Sequence, residues 1–193
     1  MLPDSQPYSG QIKSWSDFAN SIQQQFLPSV VWVMPVGVGA YDVSQHPAYN
    51  VTQGEVWLLN MVNSIMRSSY WNSTAIFIMY DGGGYHDQVP PPVVDGVQLW
   101  FIIPFIVISH YVKENYVSHT MNHASLLAFV DYNWRLPALN QFVAHSSPPL
   151  DLLCSSSSNS SLNSSPRPPV ELTATSIFPL TPQIPFNQLG YER

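Results

Sequence analysis

A chain of 193 residues with only 9% charged side chains, against about a quarter in an average soluble protein, keeps its surface wet with Ser, Asn, Gln, Pro and Tyr. Six Lys and Arg in a net charge of −6 exclude a basic footprint for nucleic acid. A single cysteine, Cys154, excludes both a disulfide framework and a thiolate metal cluster.

Residues 1–13 read as coil. From Ser14 onward Trp15, Phe18, Ile22 and Phe26 recur at helical spacing, with Ser14 or Ser16 as cap and Pro28 as the stop. Val30 to Met34 is a continuous apolar run between prolines and predicts a buried strand. A loop follows that carries Gly37, Gly39, Asp42 and His46-Pro47. Residues 54–68 predict a helix with Leu58, Met61, Val62, Ile65 and Met66 on one stripe, Glu55 in its first turn and Arg67 in its last. Thr74 to Tyr80 predicts a second buried strand that leads into Asp81-Gly82-Gly83-Gly84. Residues 90–100 read as a proline-rich loop, Pro104 to Ser109 as a third strand, and Thr120 to Trp134 as a helix with Leu126, Leu127 and Val130 inward.

Strands without apolar–polar alternation, interleaved with helices, predict an α/β domain with a mostly parallel sheet covered by helices. That domain is expected to occupy residues 1–145. Residues 146–193 are expected to form a low-complexity tail, since the Ser/Asn run at 155–165 and the Pro/Thr-rich stretch after it cannot bury enough apolar surface to offset ordering entropy. The longest apolar run, Leu99 to Ser109, is broken by Pro104 and too short for a membrane span, and Met1 to Asp4 has no signal-peptide pattern. Asn50, Asn72, Asn159 and Asn163 head glycosylation triplets, which have meaning only in a secreted protein.

Ligands of open parallel sheets gather at the carboxyl ends of strands, where Asp81 falls. Asp81 with His86-Asp87 fits a hard-metal or phosphate-ester site, and fits equally a glycine-rich turn with a solvated carboxylate. His46 is stiffened by Pro47. His119 and His123, four apart, would share a face if the helix included both; otherwise His119 caps the helix or is solvated. Ser44 and Ser118 lie near these loops, but nothing in the sequence marks either as an activated nucleophile.

Several blocks in order resemble the phosphoesterase family of bacterial phospholipases C and acid phosphatases. They are Leu27 to Pro35, Ser44-Gln45-His46-Pro47, Gly54-Glu55, Met66 to Trp71 with Thr74 to Phe77 (the family's "MRSPYW…TAIFV"), Tyr80-Asp81 through Pro92 (its "WDD-x-GGFYDHVPPP"), and Tyr116 to Thr120. The resemblance covers about residues 27–140. It implies part of an alkaline-phosphatase-like fold, secretion or surface location, and divalent-metal-assisted hydrolysis of a phosphate ester, phospholipids among the substrates. By position, Asp81 matches a metal ligand, while His46, His119 and Asp87 match residues around the phosphoryl group. The departures remove charge: Gly82 follows Asp81 where the family has a second Asp, Gln88 replaces a His, Gln45 replaces a Glu, and Ile102 stands where relatives have Arg. The family places a Glu-Asn metal pair and its nucleophile in an N-terminal half not represented in this chain. The chain alone is therefore expected to be weak or inactive, the missing half supplied in cis or in trans. A non-catalytic secreted or surface binding domain derived from the family is the alternative.

Overall fold

In the computed structural model, residues 10–35, 43–47, 49–82, 92–100, 102–113 and 116–153 are described. Asp87, His86, Gln88, Cys154 and the Ser/Asn/Pro-rich region lie outside them. The described residues divide into two compact units, one up to Asn72 and one from Ser73 onward.

In the first unit, Ser14 caps helix α1 (Trp15–Gln23) with a reciprocal capping box. Its Oγ accepts from Asp17 N at 3.2 Å, and its own N–H donates to Asp17 Oδ2 at 3.0 Å. The Ser14 backbone N–H contributes most to holding the Asp17 carboxyl below its ordinary value, and Ser14 Oγ, which donates to Asp17 Oδ2 at 2.8 Å, adds to it. The helix stops short of Phe26. Gln25 adopts φ 56°, its N–H bonds Ile22 O at 3.3 Å, and Phe26 N–H bonds Ser21 O at 2.9 Å. This is the paired-bond C-terminal motif built on one left-handed residue, so termination precedes Pro28 and Phe26 is left 80% exposed. Trp15 packs on Trp57 with ring centres 5.5 Å apart.

Helix α2 (Val51–Met66) begins three residues before the predicted start, because Asn50 Oδ1 accepts from Thr52 N at 2.9 Å and serves as cap. Glu55 therefore lies beyond the first turn. Met61, Val62, Ile65 and Met66 are buried as the periodicity requires, and Val62 is wholly inaccessible. The 3-10 turn Ser69–Ser73 then buries Trp71. The expected strand at residues 30–34 is not formed: Val31 is 42%, Trp32 65% and Met34 76% exposed. An apolar run becomes a strand only when a neighbour completes its ladder, and among the described residues none does.

The second unit is built on β1 (Ala75–Met79), which pairs with a later strand (Phe105–Ser109), register Ala75↔Ser109 to Met79↔Phe105. Between them in sequence lie β2 (Val93–Val94) and β3 (Val97–Gln98), a hairpin inside the stretch read as a loop; the Phe105–Ser109 strand is thus β4. Asp95 and Gly96, at φ 50° and 76°, make its two-residue turn with both central residues left-handed. The helix-and-strand character matches expectation, but the mostly parallel sheet does not: both described strand pairs are antiparallel. Parallel pairing of β1 and β4 would need a crossover, usually helical; the described part of that connection holds a hairpin instead.

Ile76 and Ile78 are buried on one face of β1, while Phe77 on the other meets Phe105 and Phe129, with ring centres 6.1 and 5.2 Å away. Phe129 belongs to α3 (Ala124–Trp134), which starts four residues after the predicted Thr120 and ends at left-handed Arg135. A short helix α4 (Gln141–Ala144), capped by Asn140, buries Val143. The chain continues in contact beyond residue 145. Ser146, Pro149 and Leu152 are buried, Leu150–Leu152 is a 3-10 turn, and Val112 bridges Leu153 in antiparallel fashion.

Candidate functional site

Asp81 stands two residues past the end of β1, exposed, as its place in the sequence predicts. The strand end is held by His123, whose Nε2–H donates to Tyr80 O at 3.0 Å. His123 thus links the start of α3 to the residue before Asp81. No three His, Cys, Asp or Glu side chains gather among the described residues so as to hold a metal ion. The described residues therefore do not by themselves fit the divalent metal that the resemblance implies. Asp87 lies outside them.

His119 lies before α3, so the helical spacing that would have put it beside His123 does not apply. The two histidines bind different partners. His119 Nδ1 lies 3.2 Å from Asp151 Oδ1, and a carboxylate only accepts, so Nδ1 carries the proton in this bond. Ser118 Oγ donates to the same carboxylate, 2.8 Å from each oxygen, and stands 3.4 Å from His119 Nδ1. Burial pushes the Asp151 carboxyl up, but the Ser118 and His119 hydrogen bonds and the His119 charge outweigh it and hold the group below its ordinary value.

The Asp151 segment is strapped in place from the Lys113 side. Lys113 N–H donates to Leu152 O at 2.9 Å, and its Nζ donates to Asp151 O at 2.7 Å while lying 4.7 Å over the Tyr116 ring. Since Nδ1 of His119 is committed to Asp151, Nε2 is the nitrogen left for other chemistry on a side chain that is 43% exposed. Sequence reading missed Asp151 by assigning residues 146–193 to the tail. The signal was present: Leu150, Leu152 and Leu153 are apolar, and the Ser run starts only at Ser155.

His46 belongs to the first unit. Its backbone N–H donates to Ser44 Oγ at 3.3 Å, its carbonyl accepts from Tyr49 N at 3.0 Å, and its Nδ1–H donates to Pro47 O at 3.1 Å. Gln45, at φ 64°, folds its side chain over the start of α2, where Nε2 reaches Val51 O at 3.4 Å. Gly54 makes room for this loop. A methyl there would collide with Gln45 Cγ and stand 2.8 Å from Val43 O. The Ser44-to-Pro47 block and Gly54 are thus one packed element.

The order of these blocks along the chain is that of a known family. The Phosphoesterase family model matches residues 3–137, and the chain belongs to that family. Among its relatives, Phospholipase C B of Mycobacterium tuberculosis (strain ATCC 25618 / H37Rv) is 28% identical over 151 residues, covering 64% of this chain and 28% of that protein. Phospholipase C A of the same strain is 29% identical over 151 residues with the same coverage. Non-specific phospholipase C3 of Arabidopsis thaliana is 28% identical over 94 residues, 40% of this chain and 18% of that protein. The chain spans little more than a quarter of the mycobacterial relatives it matches. No described helix is long and apolar enough to cross a membrane.

Proposed function

We propose that this chain forms part of a phosphoester hydrolase of the phospholipase C type, acting on phospholipid or another phosphate ester outside the cell or at its surface. The observation that carries the reading is the family match over residues 3–137, which takes in every site residue named from the sequence. Asp81 is the residue that would reach a divalent metal, whose chemistry is to polarise phosphoryl oxygens and lower the pKa of a hydroxyl. The described residues do not complete an ion site, so no step is assigned through it.

His119 has the geometry of a proton donor and charge stabiliser. Its Nδ1–H is held by Asp151, so a proton on Nε2 can pass to a leaving oxygen without the ring losing its orientation. His46 and Asp87 are assigned to the phosphoryl group on family position alone; His46 Nδ1–H is held by Pro47 O. A second reading, a binding domain without turnover, is favoured by Gln45: where the family carries Glu, this side chain donates to Val51 O and supplies no charge.

The test is hydrolysis by the native protein purified from its source cells, compared with a strain carrying Asp81→Ala. Substrates are bis-p-nitrophenyl phosphate, p-nitrophenyl phosphate and phosphatidylcholine vesicles, each with and without EDTA. Activity sensitive to EDTA and reduced at least about a hundredfold by D81A supports the hydrolase. Activity indifferent to D81A removes Asp81 from the site. Vesicle binding with no turnover on any substrate establishes the binding reading.

A further inference from the structure

We propose that Asp151 is the positioning residue of His119, fixing the ring as the Nδ1–H tautomer with Nε2 directed away from the carboxylate. Asp151 lies beyond the family's matched residues 3–137, on a segment whose composition shows no chemistry. The tautomer argument stands on geometry alone. The catalytic consequence rests on the phosphoester-hydrolase reading above.

Asp151 presents two oxygens to two neighbouring side chains, Ser118 Oγ at 2.8 Å and His119 Nδ1 at 3.2 Å. A carboxylate has no proton to give, so both must donate to it, and one ring nitrogen is thereby chosen. Neutral imidazole in water favours the proton on Nε2, so the choice made here opposes the intrinsic preference and needs a partner to hold it. The partner is itself held: its carbonyl accepts from Lys113 Nζ, the next residue's carbonyl accepts from Lys113 N, and Leu153 bridges Val112. Ser118 gives its one hydroxyl proton to the same carboxylate, 2.8 Å from each oxygen, and so adds a second side-chain tether on Asp151. Ser118 is thereby a buttress of Asp151, its hydroxyl proton given to a carboxylate that already serves His119.

The same arrangement also admits a merely structural role, a latch that ties residues 150–152 to the loop before α3. The two differ in what happens to the ring. The measurement is ring 15N chemical shifts of His119 in the full chain at about pH 8.5, where histidine is neutral.

In the wild type His119 is expected as Nδ1–H. In Asp151→Ala it is expected to revert to Nε2–H, and in Asp151→Asn, whose amide oxygen still accepts, to stay Nδ1–H. A wild-type His119 carrying its proton on Nε2 overturns the proposal, and this holds even if D151A fails to fold. So does a D151A ring that keeps the wild-type tautomer. In the native enzyme, D151A is expected to lower kcat at least about tenfold with KM little changed, and D151N to restore part of it. Asp151-dependent tautomerism in a protein that hydrolyses nothing would uphold the positioning and sink the hydrolase reading. Hydrolysis that needs Asp81 but ignores D151A would do the reverse.

Discussion

Ser118 and Asp151 are joined by a hydroxyl 2.8 Å from both carboxylate oxygens, across thirty-three positions of sequence. Together with the His119 bond, this lowers the Asp151 carboxyl despite the opposing effect of burial. A group lowered in the folded state adds stability above its unfolded value of 3.8, and that stability is lost as pH falls through the folded value. Wild type is therefore expected to melt higher than D151N at pH 5, and the difference to shrink toward zero as pH falls well below 3.8. Thermal melts across that range check it, and a difference independent of pH would contradict the ionised pair.

Gly54 is the point of α2 against which the His46 loop packs. Gly54→Ala is expected to destabilise the first unit by about 1–3 kcal/mol, because one clash is with a backbone carbonyl that cannot turn aside. Adding Gln45→Ala should recover only part of the loss, since Val43 O remains. Full recovery in the double variant would mean that the side chain alone sets the fit. Melting temperatures of the two variants decide.

His123 holds Tyr80 O, next to Asp81. His123→Ala is expected to remove roughly 1 kcal/mol and to raise hydrogen exchange at Asp81 and Gly82 more than in β1 itself. On the phosphoester-hydrolase reading proposed above, the same change lowers hydrolysis through a loosened Asp81. An unchanged exchange rate at Asp81 would show that the strand end is held by other means.

The two ends of α1 offer opposite substitutions. Ser14→Ala removes the side-chain acceptor of Asp17 N–H and the hydroxyl that donates to Asp17 Oδ2, leaving the backbone N–H bond in place, and is expected to destabilise by about 1 kcal/mol. Gln25→Gly is expected to stabilise by about 0.5–1 kcal/mol, because Gln25 occupies a left-handed position that glycine enters without a Cβ penalty. Opposite shifts in melting temperature are the expected result; a destabilising Q25G would refute the strain at that turn.

The β2–β3 turn is tested at Asp95, which sits at φ 50° and also accepts from His145 Nδ1–H at 2.8 Å. Asp95→Ala loses both the tolerance for that conformation and the link to the end of α4. About 1–2 kcal/mol of destabilisation is expected, with Asp95→Asn retaining most of the turn geometry. If D95N proves as unstable as D95A in melts, the carboxylate charge of Asp95 toward His145 rather than the turn dominates.

What the chain settled locally could be read from it. Ser14 and Asn50 cap helices, and Met61, Val62, Ile65 and Met66 bury one stripe, because capping bonds and helical periodicity involve residues within a turn of each other. Asp81 at a strand end and the ordered blocks of the phosphoesterase family were legible for the same reason. The Asp95-Gly96 turn is equally local, but its signal is masked by the surrounding prolines. What tertiary structure alone decided concerns partners far apart in sequence. Apolar content marks β1 and β4 as strands but carries no sign of their direction, which depends on the path of the connection between them. Val30 to Met34 has the composition of a strand and no described neighbour to pair with. His119 is singled out by family position, but which of its nitrogens carries the proton toward Asp151 is a matter of tertiary structure, since Asp151 is brought back by the bonds of Lys113 and the Val112–Leu153 bridge. Hydrogen bonds of that kind are chosen by distance in space, and spacing along the chain holds no record of it.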